Sequence, residues 1–301
     1  MIKNVKFSVL ITNFNYSKYL EAAVQSVLEQ EFKSFEVIIV DDGSTDESRK
    51  YLRSINDSRV QVILKENGGQ ASAFNTGWAK ARGEYIAFLD SDDVWARNKL
   101  KIIHELLLTK NIAVIQHQMS IIDSAGDDVK RAPVGSWIPS GLFDMEKFVR
   151  MTHSPPTLTA TSAIILSRKA ADTVFPISKS FRISADVPLV TKPITTGPYF
   201  YLKQVLGEYR IHGNNNFAIA DVAKNDTKVR IRRLTRRLKF SIRTHREMRK
   251  TLGGASISFR KSFVGVKYQL CKLLPVKLAL IVGRLEAYVR RRICYRMSQL
   301  N

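Results

Sequence analysis

The chain has 301 residues, enough for one large domain or for one domain with an appendage. Its net charge of +21 is concentrated at one end, because residues 223–301 hold 22 Lys/Arg against 3 Asp/Glu, a balance of +19, which leaves +2 for residues 1–222. Cys271 and Cys294 are the only cysteines, which excludes a disulfide framework and favours a reducing compartment, and no apolar run reaches the roughly 18 residues of a membrane span.

Strands and helices are predicted to alternate through the first hundred residues. Apolar runs predict four strands, and amphipathic or capped segments predict the helices between them. The strands are Phe7–Thr12, Phe35–Val40, Val60–Leu64 and Tyr85–Leu89, and the helices run from Ser17 to about Gln30, from Asp46 to Leu52 and from Gly69 to about Ala81. This alternation is typical of βαβ units, so the sequence predicts an α/β fold with a mainly parallel sheet flanked by helices.

The next region is less regular. A helix is predicted over Asn98–Thr109 and a strand over Ile112–Gln116, whereas Ala163–Leu166 and Tyr199–Leu206 are each compatible with a strand or a helix. Prolines and glycines between these segments indicate loops. From Lys224 onward the pattern predicts basic amphipathic helices up to the last residue.

Two acidic clusters directly follow buried strands. Asp41-Asp42 ends the second apolar run, and Asp90-Ser91-Asp92-Asp93 ends the fourth. In an open α/β sheet, ligands bind beyond the carboxyl ends of the strands, so both clusters are expected at one edge and around one crevice. Carboxylates gathered there favour a divalent cation together with the hydroxyls or imides of a nucleotide-sugar. The clusters therefore point to glycosyl transfer.

Four segments together resemble glycosyltransferase family 2. They are Ser8–Tyr16, Val40–Asp46, Asn67-Gly68-Gly69 with Asn75 and Gly77, and Gly83–Asp93. Each is weak alone, but they occur in the family's order and spacing. The resemblance implies a GT-A fold of the bacterial polysaccharide type, a nucleotide-diphosphate-sugar donor and an inverting mechanism. Together with the charge distribution, it predicts a catalytic domain over residues 1–222, with a nucleotide-binding half (1–100) and an acceptor half (101–222), followed by a basic helical tail (223–301).

The resemblance assigns roles to four of the aspartates. Asp42 or its neighbour Asp41 would accept a hydrogen bond from the uracil imide, although Asp42 is also suited to cap the next helix. Asp90 and Asp92 match the family's Asp-x-Asp motif. Asp92 would bind Mn²⁺ or Mg²⁺, and Asp90 would contact the ribose or a metal-bound water.

Shorter polar and glycine positions complete the predicted donor site. Thr12, Asn13 and Asn15 are expected to line the base or ribose, but a plain strand-to-helix turn explains them almost as well. Gly69, after Gly68, permits a positive φ or a close backbone approach, and a phosphate cradle is one use of such a loop.

Two residues of the acceptor half match later segments of the family. Asp186, in Ser184–Leu189, occupies the place of the general base that deprotonates the acceptor hydroxyl, with helix N-capping as the alternative. Ala185 and Pro188 depart from the family's pattern there. His212, in Tyr209–Asn215, would complete the metal site or touch the diphosphate, and a structural histidine is the alternative.

The basic tail predicts an anionic partner. Basic amphipathic helices without a spanning segment are typical of the membrane interface, so the enzyme is expected at the cytoplasmic face of a membrane, acting on a saccharide or lipid-linked acceptor. Nucleic acid ranks lower because no known nucleic-acid module occurs. Two other functions stay open: a catalytically weak nucleotide-sugar-binding protein, and a basic membrane- or nucleic-acid-binding protein on an α/β scaffold.

Overall fold

The computed structural model describes residues 5–152, 159–213 and 215, together with 244, 246, 247 and 250–252. Within these residues the fold is one mixed sheet of nine strands with helices on both faces. The strands are β1 (Phe7–Asn13), β2 (Phe35–Asp42), β3 (Val60–Lys65), β4 (Tyr85–Asp90), β5 (Val94–Trp95), β6 (Val114–Ile122), β7 (Gly141–Phe143), β8 (Ile164–Ser167) and β9 (Tyr199–Arg210). The helices are α1 (Ser17–Leu28), α2 (Ser48–Ser54), α3 (Gln70–Trp78), α4 (Lys99–Thr109), α5 (Met145–Thr152), α6 (Arg168–Val174) and α7 (Asp186–Thr191).

The first half of the sheet is parallel. Its strand order is β3-β2-β1-β4, and every residue of β2 is buried, because helices cover both faces. The register sets Thr12 of β1 opposite Val40 and Asp90, and Asn13 opposite Asp41. The carboxyl ends of β1, β2 and β4 therefore bring both acidic clusters to one edge of the sheet.

The second half mixes strand directions. β8 lies antiparallel between β4 and β6, β9 runs parallel to β6, and the short strands β5 and β7 both pair with β9. The α/β fold with a mostly parallel central sheet is confirmed. The segments around Ala163–Leu166 and Tyr199–Leu206, which the sequence left open, are both strands.

Alternating side chains divide the core between the two faces of the sheet. Phe7, Val9 and Ile11 of β1 pack with α1, α2 and α4, whereas Leu10 of the same strand packs with α3 and α5–α7. This is the two-residue period expected of a strand covered on both faces. The two packed layers fix the positions at which β1, β2 and β4 end.

Most of the predicted tail lies outside the described residues. The domain boundary at residue 222 and the amphipathic helices after it therefore stay predictions. Within the described part of the chain, no helix has both the length and the apolar character needed to cross a membrane.

Candidate active site

The carboxylate of Asp41 is fully buried in a polar network. Its Oδ1 accepts hydrogen bonds from the Ser44 amide (3.0 Å) and from Nε of Arg49 (2.7 Å), and its Oδ2 accepts one from Nδ2 of Asn13 (2.9 Å). These hydrogen bonds lower the pKa of Asp41, although burial alone, the largest single effect, acts to raise it. Asp41 is thus positioned to hold the loops after β1 and β2 together.

Asp42 organises a neighbouring loop. Its Oδ1 accepts from Nζ of Lys65 (2.6 Å) and from the Gly68 amide (3.0 Å), and its Oδ2 accepts from the Gly69 amide (2.7 Å). The side chain keeps 5% of its surface exposed. None of these donors belongs to α2, whose first amide, that of Ser48, donates to Asp46 (3.0 Å). Helix capping, the alternative for Asp42, is therefore not its role in this structure.

Gly69 has a φ of +84°, a conformation that favours glycine, and a Cβ at this position would lie 2.8 Å from Cα of Arg182. The first amides of α3 are already paired, because those of Gln70 and Ala71 donate to the carbonyls of Arg182 (3.0 Å) and Phe181 (3.2 Å). The close approach expected at Gly69 is thus made by the chain itself, and these amides do not form an open phosphate cradle in this structure.

The polar residues after β1 mainly bind neighbouring loops. Besides Asp41, Asn13 Nδ2 contacts Ser44 Oγ (3.1 Å), and its buried Oδ1 accepts no hydrogen bond from the described residues. Asn15, at a φ of 59°, accepts from the Thr45 amide (2.8 Å). Thr12 is partly exposed beside Asp90. Of these three predicted residues, Thr12 is the one that the sheet register places opposite a residue of the second acidic cluster.

An open cleft of about 540 Å³ adjoins the first cluster. Its lining comes from the loops after β2 and β3: Gly43, Ser44, Thr45, Arg49, Leu64, Lys65, Glu66 and Asn67. Phe14, 45% exposed, directly follows β1. Sequence reasoning missed Phe14, although an aromatic side chain in a polar loop is a signal that could have identified it.

Asp90 ends β4 in an environment that disfavours its charge. Burial raises its pKa to about 8, and the negative charges of Asp92 and Asp186 add to the increase. Hydrogen bonds from the side chains of Thr161 and Gln70 act in the opposite direction. The effect of Asp186 on Asp90 shows that the structure brings together two carboxylates that are 96 residues apart in the sequence. A cation near Asp90 would stabilise its charged form.

Asp92 and His212 are in direct contact, with 3.0 Å between Oδ2 and Nε2. The imidazole is buried and lies next to the rings of Tyr16 and Tyr19, with centroid separations of 5.4 and 5.1 Å. Arg210, at the end of β9, donates from Nε to the Asp92 carbonyl (2.9 Å). The end of β9 is therefore tied to the loop after β4, and the predicted pair of metal ligands is adjacent.

Ser162 binds the acidic loop after β4 through its hydroxyl. This residue was not identified from the sequence. Its Oγ accepts from the Asp90 amide (3.0 Å) and donates to Asp93 (2.5 Å). Its carbonyl accepts from Nε1 of Trp95 (2.9 Å) and from Nζ of Lys99 (2.7 Å). Lys99 is fully buried, which lowers its pKa well below the usual range, although the charge of Asp93 opposes this effect.

Asp186 is the first residue of α7 and faces the same region. Its Oδ1 is buried and accepts no hydrogen bond within the described part of the chain. Burial raises the pKa of Asp186 to about 6, against hydrogen bonds from its own amide and that of Val187. The preceding turn is fixed by Ser184, at a φ of 65°, and by the Ala185 amide, which donates to Gln70 (3.0 Å).

The alternative role of Asp186 as a helix cap does not match its position. Ala185 occupies the N-cap position of α7, and Asp186 follows it as the first helical residue. Pro188 lies in the first turn, where its missing amide interrupts no helical hydrogen bond.

The donor set suits a divalent cation that also binds a ligand. No group of three His, Cys, Asp or Glu side chains among the described residues forms a complete metal site. Asp92 and His212 nevertheless provide a carboxylate and an imidazole in contact, with Asp90 close enough to be affected by the charge of Asp92. Such cations are commonly held by one or two protein groups and completed by substrate phosphates, so the residues fit the predicted Mn²⁺ or Mg²⁺.

Comparison with known proteins identifies the family. The model described as Glycosyl transferase family 2 matches residues 8–175, more than half of the chain. A glycosyltransferase of Nostoc sp. is 35% identical over 230 residues, which cover 75% of this chain and 71% of the relative. The UDP-Glc:α-D-GlcNAc-diphosphoundecaprenol β-1,3-glucosyltransferase WfgD of Escherichia coli is 35% identical over 118 residues, 39% of this chain and about half (47%) of that protein.

Solved structures agree on the fold. S. aureus TarS 1-349 in complex with UDP has a TM-score of 0.54 and 18% identity over 98% of this chain and 92% of that chain. The mannosyltransferase PcManGT from Pyrobaculum calidifontis, in complex with GDP-Man and Mn²⁺, has a TM-score of 0.55 and 16% identity over 99% and 85%. With both acidic clusters at one edge of this GT-A sheet, the chain belongs to glycosyl transferase family 2 and is a glycosyltransferase that uses a nucleotide-sugar donor.

Proposed function

We propose that the enzyme transfers a sugar from a UDP-sugar to a hydroxyl of a saccharide or lipid-linked saccharide, with inversion at the anomeric carbon. The observation that carries the proposal is the proximity of Asp90, Asp92, His212 and Asp186 at one edge of the sheet, where one carboxylate oxygen of Asp186 has no hydrogen-bond partner among the described residues. Metal ligands and a general base are the two sets of groups that this transfer requires.

The donor nucleotide binds, in this proposal, at the ends of β1 and β2. Phe14 is exposed enough to stack on a base, and Asp42 retains acceptor capacity on Oδ2 for an imide N–H. Asp41 acts mainly by fixing the loops, because its carboxylate has no exposed surface. Thr12 and Asp90, opposite each other in the sheet, face the ribose. Uridine is favoured because WfgD, by its name, uses UDP-Glc.

Asp92 and His212 hold Mn²⁺ or Mg²⁺ in this proposal, with Asp90 beside them. When bound, the cation neutralises charge on the departing diphosphate. Burial and the negative charge of Asp92 disfavour the charged form of Asp90. A cation bound at this position would stabilise that charged form. The mannosyltransferase with bound Mn²⁺ offers a precedent for a metal in this fold.

Asp186 is proposed as the general base. Its pKa of about 6 leaves it mainly ionised at neutral pH while keeping it a stronger base than an ordinary carboxylate. It takes the proton of the acceptor hydroxyl as the oxygen attacks the anomeric carbon. The bond from that carbon to the diphosphate breaks, and the UDP leaving group keeps the electron pair. The single displacement inverts the anomeric centre.

The acceptor and location are proposed from the charge of residues 223–301. Their balance of +19 favours attachment to an anionic membrane at its cytoplasmic face, each basic residue near the surface contributing about 1 kcal/mol. WfgD acts, by its name, on a diphosphoundecaprenol-linked sugar. A lipid-linked acceptor would give this enzyme the same reason to lie at a membrane.

Calorimetric titration tests the donor and the metal together. UDP, TDP, GDP and CDP are titrated with and without Mn²⁺ into the wild type, Asp92→Asn and, as a matched control, the exposed Asp172→Asn. We expect metal-dependent binding of UDP that Asp92→Asn removes and Asp172→Asn retains. Equal binding of all four nucleotides, or UDP binding that ignores Mn²⁺, would contradict the proposal. UDP binding without turnover over a broad acceptor panel would favour a nucleotide-sugar-binding protein instead.

A further inference from the structure

We infer that Tyr16 and Tyr19 are positioning residues that hold the His212 imidazole against Asp92. The inference rests on the proposed function, in which Asp92 and His212 hold the cation. Neither tyrosine is given a role by the motifs of the sequence, and both belong to α1 or the residue before it, far in sequence from His212.

The two rings contact the imidazole from different directions. Tyr19 is stacked on His212, with an interplanar angle of 25° and a centroid separation of 5.1 Å. Tyr16 meets His212 edge to face, at 65° and 5.4 Å. Together they fix the plane of the imidazole, while its Nε2 lies 3.0 Å from Asp92 Oδ2. Ring pairs of these geometries are individually stabilising.

The tyrosines are themselves held by a rigid frame. They are three positions apart at the start of α1, so they project from one side of the helix. α1 itself is anchored in the core through Leu20, Val24 and Val27, which are fully buried. The guanidinium of Arg210 also lies over the Tyr19 ring, with its carbon 4.9 Å from the ring centroid. Tyr19 thus contacts both Arg210 and His212.

Asn15 fixes the turn that precedes Tyr16. Asn15 adopts a φ of 59° and accepts a hydrogen bond from Thr45, and the next amide but one, that of Ser17, donates to Asp46 (2.8 Å). The chain is therefore fixed on both sides of Tyr16. Tyr16 also lies in the field of the acidic cluster, since burial, followed by the charge of Asp92, raises its pKa above the usual value. Its hydroxyl stays protonated beside the carboxylates.

A pre-oriented imidazole binds a cation without first losing rotamer freedom. His212 lies two residues beyond the end of β9, where strand pairing no longer restrains the chain. The rings of Tyr16 and Tyr19 contact the imidazole there and restrain it from the nucleotide-binding half of the fold.

The test compares ring-deleting and ring-keeping variants in the full-length enzyme. Tyr19→Leu and Tyr16→Leu remove a ring, Tyr19→Phe keeps one, and Tyr85→Leu removes a ring at the opposite ends of β1 and β4 as the control. Side-chain NMR records the His212 ring protons, identified among the five histidines by their loss in His212→Gln. Mn²⁺ affinity in the presence of UDP is measured by electron paramagnetic resonance.

We expect Tyr19→Leu to move the His212 signals downfield and to weaken Mn²⁺ binding roughly two- to tenfold, as the loss of one ring contact predicts. Tyr19→Phe and Tyr85→Leu should behave like the wild type. In a His212→Gln background, Tyr19→Leu should have no further effect on Mn²⁺ affinity, because a positioning residue acts only through the group it positions.

Unchanged His212 signals in Tyr19→Leu, or an equal loss of Mn²⁺ affinity with and without His212, would overturn the inference. Failure of the wild type to bind Mn²⁺ would contradict the metal site of the proposed function and the positioning role with it. In that case unaltered nucleotide binding would show that the donor part of the proposed function still stands, so the two failures are distinguishable.

Discussion

The two acidic clusters lie at the same edge of one sheet but differ in how their carboxylates are satisfied. Asp41 and Asp42 each accept three hydrogen bonds, and those to Asp41 lower its pKa. In the second region burial raises the pKa values of Asp90 and Asp186, and Asp186 keeps a buried oxygen without a partner among the described residues. The first cluster stabilises the fold through ionised, hydrogen-bonded carboxylates, whereas the surroundings of Asp90 and Asp186 disfavour the ionised form.

This difference indicates which carboxylates await a ligand. A hydrogen-bonded carboxylate contributes to stability in the free protein, and a carboxylate with a raised pKa costs stability until a cation or a proton reaches it. We therefore expect substitutions in the first cluster to act mainly on folding and those in the second to act mainly on catalysis. The predictions below are designed to separate the two effects.

The largest effect is expected for Asp186→Asn. The amide keeps the size of the side chain but cannot take the acceptor proton, so kcat should fall about 10²- to 10⁴-fold, the usual contribution of a general base. UDP binding should stay unchanged. The measurement is steady-state release of UDP, with nucleotide binding measured on the same preparations.

Asp172→Asn, at an exposed position of α6, is the control for the Asp186 variant. A kcat within twofold of the wild type in Asp186→Asn would remove Asp186 from the role of base. The neighbouring carboxylate Asp90 would then be the next candidate for that role.

Asp41→Ala should have the largest effect on stability. It removes the acceptor of Arg49 Nε and one of the two acceptors of Asn13 Nδ2, and breaking a buried ion pair usually costs about 3–5 kcal/mol. Because the Arg49 side chain is 33% exposed and can regain water, we expect a loss of about 2 kcal/mol in the free energy of unfolding. Urea denaturation of the variant and the wild type measures it.

Asp92→Ala provides the contrast for Asp41→Ala. The substitution removes the contact with His212, but it also takes a negative charge away from Asp90 and Asp93. Because the two effects oppose each other, the free energy of unfolding should stay within about 0.5 kcal/mol of the wild type. Equal destabilisation by the two substitutions would mean that the clusters do not differ as described.

The pH dependence of the free energy of unfolding should show how much stability is lost when the buried Asp186 ionises. Its folded pKa of about 6 lies above the ordinary value of 3.8, so the folded state holds the proton more tightly. As pH rises from about 4 to 6, the unfolded state ionises first and the stability contributed by the protonated group is lost. Asp41 has the opposite effect: because its pKa is lowered in the folded state, its contribution to stability is lost as the pH falls below the ordinary value of an aspartate.

Comparing Asp186→Asn with the wild type isolates the contribution of Asp186 to the pH dependence of the free energy of unfolding. The difference in free energy of unfolding should be near zero at pH 4 and should reach about 1–3 kcal/mol in favour of the variant at pH 7. Denaturation curves at intervals between these pH values measure it. A difference that stays constant with pH would show that Asp186 titrates normally in the folded state.

The sequence was most informative for strands in which an apolar run is followed directly by acidic residues. Long apolar runs such as Phe35–Val40 identified the parallel strands, and the acidic residues after them identified the edge at which the site lies. The short strands β5 and β7 have two and three residues, too few for any periodicity, so their pairing with β9 was not predicted. The antiparallel insertion of β8 is likewise decided by packing between β4 and β6.

Within the site, the motif residues were predictable from the sequence, but the residues that hold them in place, Lys99 and Ser162, were not. Asp92 and His212 occur in recognisable segments, and their contact follows from the return of β9 to the loop after β4. Lys99 has no such segment: a lysine in an amphipathic helix usually faces solvent, and its burial against Trp95 depends on the tertiary structure. Ser162, in an irregular stretch of hydroxyl residues, gave no signal that distinguished it from its neighbours.

A modest loss of stability is expected for Ser162→Ala, which tests whether a residue that supports the acidic loop matters. The variant deletes the hydroxyl between the Asp90 amide and Asp93, but it keeps the carbonyl that accepts from Lys99 and Trp95. We expect a loss of about 1–2 kcal/mol in the free energy of unfolding, the usual cost of unpairing a buried polar group. Ser180→Ala, at an exposed turn, should change stability by less than about 0.5 kcal/mol.

Activity adds a second measurement to the Ser162 variant. Because Ser162 orders the loop that carries Asp92, its loss should raise the Mn²⁺ concentration needed for half-maximal rate while leaving the rate at saturating Mn²⁺ close to that of the wild type. A fall in the saturated rate with unchanged Mn²⁺ dependence would instead place Ser162 among the groups that act on the reacting atoms. In that case the two hydrogen-bond networks would also differ in role. The network around Asp41 would act on folding, and the network around Ser162 would act directly on sugar transfer.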